Sequence, residues 1–172
     1  SWSVDASLKF KKNYKGRLLA LSGYDLAKAI SQYEKIIDCV FRISSYAQLT
    51  YACDMQDDEI RAFYQNITEQ VNNILSHTVF FQIEINNINE QVLSKLMKNG
   101  KLQYFRPWID SKRIFKPFQL SENLENLLHQ KSITGSVAWC RLFDETMANL
   151  QLIIGGEKKT LADGLNDLSD RC

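Results

Sequence analysis

Proline is nearly missing from this chain, with two residues in 172, and glycine is sparse at seven. Collagen-like and low-complexity classes are thereby excluded. A charge of one sign is lacking too. Lys and Arg number 21 against 20 Asp and Glu, leaving a formal charge of +1, so no global field draws the chain to nucleic acid or to an anionic membrane surface. No apolar run approaches the ~20 residues that cross a bilayer. The nearest patch, Ile36, Ile37, Cys39, Val40 and Phe41, is interrupted by Asp38 and reads as core. The cysteines, Cys39, Cys53, Cys140 and Cys172, form no CxxC pair and follow no apolar leader; free thiols in a reducing cytoplasm are expected.

What is present is apolar content, 45% of residues with 11% aromatic, far from the disordered classes. A chain of this length buries roughly two-thirds of its unfolded surface, and no repeat or Pro/Gly/Ser-rich linker divides it, so residues 1–172 are expected to form one domain. The opening residue, Ser1, and a last helix that stops soon after it starts, 163–172, suggest a fragment.

Apolar periodicity predicts a mainly α fold: an antiparallel pair of long helices, several shorter helices and a small C-terminal hairpin. Ser22 is an N-cap with Asp25 as the acidic half of a capping box. From there Leu26, Ile30, Tyr33, Ile37, Val40 or Phe41, Ser44, Ala47 and Tyr51 mark one buried stripe of nearly thirty residues. A break is expected at 54–58, then a second long helix over 57–85 carrying Ile60, Phe63 or Tyr64, Ile67, Val71, Ile74 or Leu75, and Phe81. Shorter helices follow over 90–98, with Gly100 as C-terminal cap, over 104–115, with Pro107 near its start, and over 122–130, capped by Ser121. Thr134 is expected to cap a helix whose Val137, Trp139 or Cys140, Leu142 or Phe143 and Met147 lie deep in the core. The alternation from Leu150 to Ile154 with Gly155-Gly156 predicts a hairpin, and Thr160 with Asp163 a capping box for 161–168.

The residues that carry chemistry are few. A hydrolytic zinc site on a helix needs H-E-x-x-H, which sets two neutral imidazoles on one face beside a carboxylate base; the chain lacks it. His77 and His129 fall in separate predicted helices. Glu125 and His129, four apart, are expected to form a surface ion pair. Cys140 beside Trp139 is read as a small core hydrophobe rather than a nucleophile. Gly155-Gly156 lacks the residues of a phosphate loop, and Asn66-Ile67-Thr68 inside a predicted helix is a chance sequon. The cluster Lys9, Lys11, Lys12, Lys15 and Arg17, interleaved with Phe10 and Tyr14, reads as a solvated face with its aromatics turned inward. Tyr33, Tyr46, Tyr51 and Tyr64 are assigned to inter-helix packing. Catalytic, metal-binding and cofactor-binding residues are therefore expected to number none.

Read in order, Tyr14-Lys15-Gly16-Arg17-Leu18, Leu21-Ser22-Gly23 with Asp25-Leu26, and Tyr33-Glu34 form a series of strings. It continues with Ser45-Tyr46-Ala47, Phe80-Phe81 with Glu84-Ile85-Asn86, and Tyr104 with Arg106-Pro107-Trp108-Ile109. The most specific stretch holds Leu128-His129, Lys131-Ser132, Thr134-Gly135, Ala138-Trp139 and Arg141-Leu142-Phe143-Asp144-Glu145-Thr146. Together these strings resemble the N-terminal helical region of the oligoendopeptidase F family of zinc metallopeptidases. The resemblance implies a cytoplasmic parent enzyme that hydrolyses oligopeptides with zinc held in a catalytic domain farther along the chain. It implies that this region is non-catalytic and helps wall the channel that admits short peptides. The missing catalytic domain is then its partner, and isolated chains are expected to self-associate through an uncovered face. The competing reading is an independent helical interaction module with a groove between its long helices.

Overall fold

The computed structural model describes residues 2–132 and 134–169. Cys172 and the last residues of the predicted final helix lie outside the described residues. The basic cluster forms helix α1 (Trp2–Tyr14) and the turn after it. Phe10 is buried while Lys9, Lys12, Lys15 and Arg17 stay exposed, as the sequence reading has it. Gly16, at φ +74°, turns the chain, and a 3-10 turn, Leu18–Ala20, drops Leu18 into the core.

Helix α2 (Gly23–Cys53) starts where Ser22 caps it, the Ser22 hydroxyl oxygen accepting from the Asp25 N–H at 3.1 Å. The Asp25 carboxylate accepts the Ser22 hydroxyl at 2.7 Å, so the box closes on the side chain. Leu26, Ile30, Tyr33, Val40, Ala47 and Tyr51 are buried as expected; Ile36 is buried ahead of Ile37, and Phe41 faces out. Asp57 caps helix α3 (Asp58–Ser76), accepting from the N–H groups of Glu59 and Ile60. The two long helices pack along each other, and Tyr51 stacks on Tyr64 near the turn that joins them.

The predicted second helix over 57–85 is broken in the structure. It ends at Ser76, and helix α4 (Val79–Asn87) starts anew. The cause is local. His77 and Thr78 close short bonds to Ile74 and Leu75, and the Thr78 hydroxyl donates to the Leu75 carbonyl at 2.8 Å, a side-chain bond that competes with the helical ladder. The break re-aims Phe80, Phe81 and Ile85 into the core.

Helix α5 (Glu90–Leu96) is capped by Asn89. Gly100 does not cap it: Asn99 caps the short helix α6 (Gly100–Gln103), which Gly100 opens. The helix expected over 104–115 is found as α7 (Arg106–Arg113), shorter by two residues at each end and carrying Pro107 in its first turn, where a missing N–H costs nothing. Leu102, Phe105 and Ile109 from these pieces reach the core. Its centre is aromatic, with Phe10 in ring contact with Tyr33, Phe80 and Phe81, and with Trp108 against Tyr33.

Helix α8 (Glu122–Ser132) lies against α3 and α4, and helix α9 (Ser136–Asn149) returns along α3. Arg61 of α3 faces Glu145, and Gln56 donates to the Ala148 carbonyl at 3.1 Å. Thr134 does not cap α9; its hydroxyl donates to the Lys131 carbonyl, and Gly135 holds the N-cap position. The expectation that α9 sits deep in the core is overturned. No described residue of α8 or α9 is buried, and Trp139 is 71% exposed. Strand β1 (Gln151–Ile154) pairs antiparallel with β2 (Glu157–Thr160), Gln151 opposite Thr160. Gly155 and Gly156, at φ +63° and +89°, supply the two left-handed positions of a tight hairpin turn. Thr160 caps helix α10 (Leu161–Ser169) through Asp163, as the spacing predicts.

Candidate functional site

Two features stand out around α8 and α9. The first is an uncovered apolar surface. Leu124, Leu127 and Leu128 share one stripe of α8, and Trp139, Leu142 and Phe143 share one of α9; these six are between 48% and 71% exposed. Burying a side chain of this kind is worth about 1.5–3 kcal/mol, so two successive helices leave that stabilisation unused. Cys140 lies exposed on α9 beside Trp139, not in the core, and neither histidine bonds it among the described residues. Cys39 and Cys53 are free thiols as well.

The second feature is a cleft of about 560 Å³ where α3, α4, α7 and α8 meet. Phe115, Phe118 and Leu128 stand along its sides; Gln82, Asn86 and Gln119 bring amides to it, and Lys112, Glu125 and His129 add charged or titratable groups. Phe118 belongs to a 3-10 turn, Lys116–Phe118, that begins with Lys116-Pro117 and holds its ring 78% exposed. Asn86 is 6% exposed. Its amide donates to Gln119 Oε1 at 2.8 Å, while its Oδ1 is buried without a partner among the described residues.

The Glu125–His129 ion pair expected from their spacing does not form. The Glu125 carboxylate accepts the Leu120 N–H at 3.0 Å, capping α8, and His129 Nε2 meets the Asn72 carbonyl at 3.2 Å. Helix-start bonding outcompetes an exposed pair, which is worth little. His77 lies at the α3–α4 break with Nδ1 buried and unpartnered among the described residues. Burial, and then Lys11 nearby, push its pKa below the usual imidazole value. The two histidines are thus held at different places, and no group of three or more His, Cys, Asp or Glu among the described residues is placed to hold a metal ion. The chain's described residues do not fit a zinc centre. No helix among them is long and apolar enough to cross a membrane.

Residues 84–151 match the model of the oligopeptidase F family. This stretch begins in α4, ends at the start of β1 and includes both the uncovered stripes and most of the cleft. The crystal structure of oligoendopeptidase-F from Enterococcus faecium is similar over 94% of this chain, with a TM-score of 0.77 and 19% identity. At that identity the likeness establishes the helical fold, and it extends it over the regions outside the family match. The chain spans 32% of the length of that protein. No curated protein sequence matches the chain. The resemblance to the N-terminal region of the oligoendopeptidase F family is borne out on both counts. Sequence reasoning placed the family strings, including Glu84-Ile85-Asn86, but not the cleft that Asn86 floors. Only the packing of α4 against α7 and α8 brings Asn86 to Gln119, 33 residues away.

Proposed function

We propose that this chain is the non-catalytic N-terminal helical region of an oligoendopeptidase F-like zinc metallopeptidase, and that it forms part of the wall of that enzyme's oligopeptide channel. The observation that carries this reading is the pair of uncovered apolar stripes on α8 and α9. They lie inside the segment that matches the family, in a chain that spans about a third of the similar peptidase. A surface of this kind is the signature of a face made to be covered. The cover is the remainder of the same polypeptide, which holds the zinc. The wall's contribution is then selection of short substrates, not bond cleavage, and the parent enzyme works in the cytoplasm.

The alternative, a free-standing module that grips a partner helix between its long helices, needs an open groove between α2 and α3. Near its turn end that seam is occupied by the buried Tyr51, stacked on Tyr64 at 4.8 Å between ring centroids.

The test is hydrolysis of an internally quenched oligopeptide with zinc present, by this chain and by the chain extended through its downstream reading frame. Cleavage by the extended protein alone, stopped by a chelator, is expected. If the extended protein has no H-E-x-x-H and cleaves nothing, the peptidase reading is lost.

A further inference from the structure

We infer that the cleft between α4, α7 and α8 is a binding site for a short peptide in extended form, with the Asn86 side-chain amide pairing with the backbone N–H and C=O of one residue and Phe115 and Phe118 holding a neighbouring apolar side chain. A primary amide offers one acceptor and two donors, and the N–H and C=O of one residue in an extended chain offer the complement. Asn86 has half of this pairing vacant. Its Nδ2 donates to Gln119 Oε1 at 2.8 Å, whereas its buried Oδ1 has no partner among the described residues, and a buried unpaired acceptor is unfavourable. The side chain that covers it is loosely held. Gln119 is half-buried, and its own amide reaches Asn87 Oδ1 only at 3.3 Å. In an extended ligand the N–H and C=O of one residue, from two successive peptide groups, point to the same side, so a residue that displaces Gln119 donates its N–H to Oδ1 and accepts from Nδ2 through its carbonyl, and both halves of the Asn86 amide are paired.

The surroundings match such a ligand. Phe115 and Phe118 are 66% and 78% exposed although they sit beside an apolar wall that includes Leu128, so a side chain laid between them gains contact with no rearrangement of the core. Lys112 and Glu125 place one charge of each sign on the lining, which favours neither an anion nor a cation. The volume of about 560 Å³ lies in the range of small-ligand sites. Gln82 is engaged by the Tyr33 hydroxyl at 2.6 Å and so forms a fixed part of the floor. The inference does not draw on the channel-wall reading, and it survives or fails separately from it.

The probe is N-acetyl-leucyl-leucine amide, uncharged at both ends, titrated calorimetrically into the 172-residue chain with folding of each variant checked by circular dichroism. Binding in the millimolar range or tighter is expected. Gln119→Ala, which removes the competitor, tightens it about threefold, and Phe118→Ala, at an exposed position, weakens it about tenfold. Tyr104→Ala, on the 80% exposed ring at the α6–α7 junction, leaves it unchanged. No binding heat up to about 10 mM peptide overturns the inference, as does Gln119→Ala weakening the peptide or Tyr104→Ala weakening it as much as Phe118→Ala.

Discussion

At the scale of single residues, Glu84 and His77 flank the start of α4 and titrate in opposite senses. Burial raises the Glu84 carboxyl above its ordinary 4.5. The Gly16 and Leu18 N–H bonds hold it back, Glu122 adds a further rise and Lys15 opposes it. Because the raised value favours the protonated acid in the folded state, its stabilising share is complete below about pH 4.5 and is lost as pH rises through the folded value. His77 behaves the other way. Its value lies below 6.5, so its share is present above that pH and is lost as pH falls through the folded value. Melting temperatures followed between about pH 7 and pH 4 are expected to fall less steeply on acidification in His77→Gln than in the parent. In Glu84→Gln, which keeps an oxygen for the Gly16 N–H, they fall more steeply. Parallel pH profiles for all three proteins contradict both assignments. Neither shift was legible in the sequence, since each is caused by burial that the α3–α4 break creates.

At the scale of elements, caps and turns behave as their residue types dictate, and contacts at a distance do not. The hairpin was legible because Gly155-Gly156 follows an alternating strand, and α10 because Thr160 and Asp163 are spaced for a cap. What holds them together was not. A Cβ at Gly164 of α10 stands 2.6 Å from Leu152 Cδ1 and 3.1 Å from Ile154 Cδ1, so the strand's inward side chains rest directly on the helix backbone. Terminal methyls can shift for an alanine, and Ala favours a helix over Gly by about 1 kcal/mol, so the substitution that tests this contact is Gly164→Phe, expected to cost about 1–3 kcal/mol locally through overpacking. Hydrogen exchange reads it: amides of β1 and β2 exchange faster, while those around Ile30 and Phe81 keep their protection. Uniform loss of protection across the chain indicates that the hairpin and the core unfold as one unit. Separate behaviour is expected because, among the described residues, the buried apolar side chains end at Ile109.

At the scale of the whole molecule, the core belongs to α1–α7, and α8 and α9 lean on it with their apolar stripes turned outward. The isolated chain is accordingly expected to self-associate, with its average mass by light scattering rising with concentration. Replacing Leu142 and Phe143, 52% and 62% exposed, by Lys weakens that association at least about tenfold, or about 1.4 kcal/mol, without lowering the melting temperature. A clean monomer over a wide concentration range, or a fall in stability equal to the loss of a core pair, places the stripes differently from this structure.

Local rules therefore carried the helix starts at Ser22 and Asp57, the hairpin turn, the inward aromatics of α1 and the family strings, because each depends on residues within a few positions of one another. The sequence by itself also determined that α8 and α9 are amphipathic. It had no means to say which side of that amphipathicity meets protein. Periodicity reports that a face is apolar, whereas burial depends on what lies opposite, and in this chain α3 and α4 cover the other side. The same holds for Asn86, whose partner is Gln119, 33 residues away: an amide left half-paired is decided by a tertiary contact, whereas the break at His77-Thr78 is closed within one turn by the Thr78 bonds to Leu75.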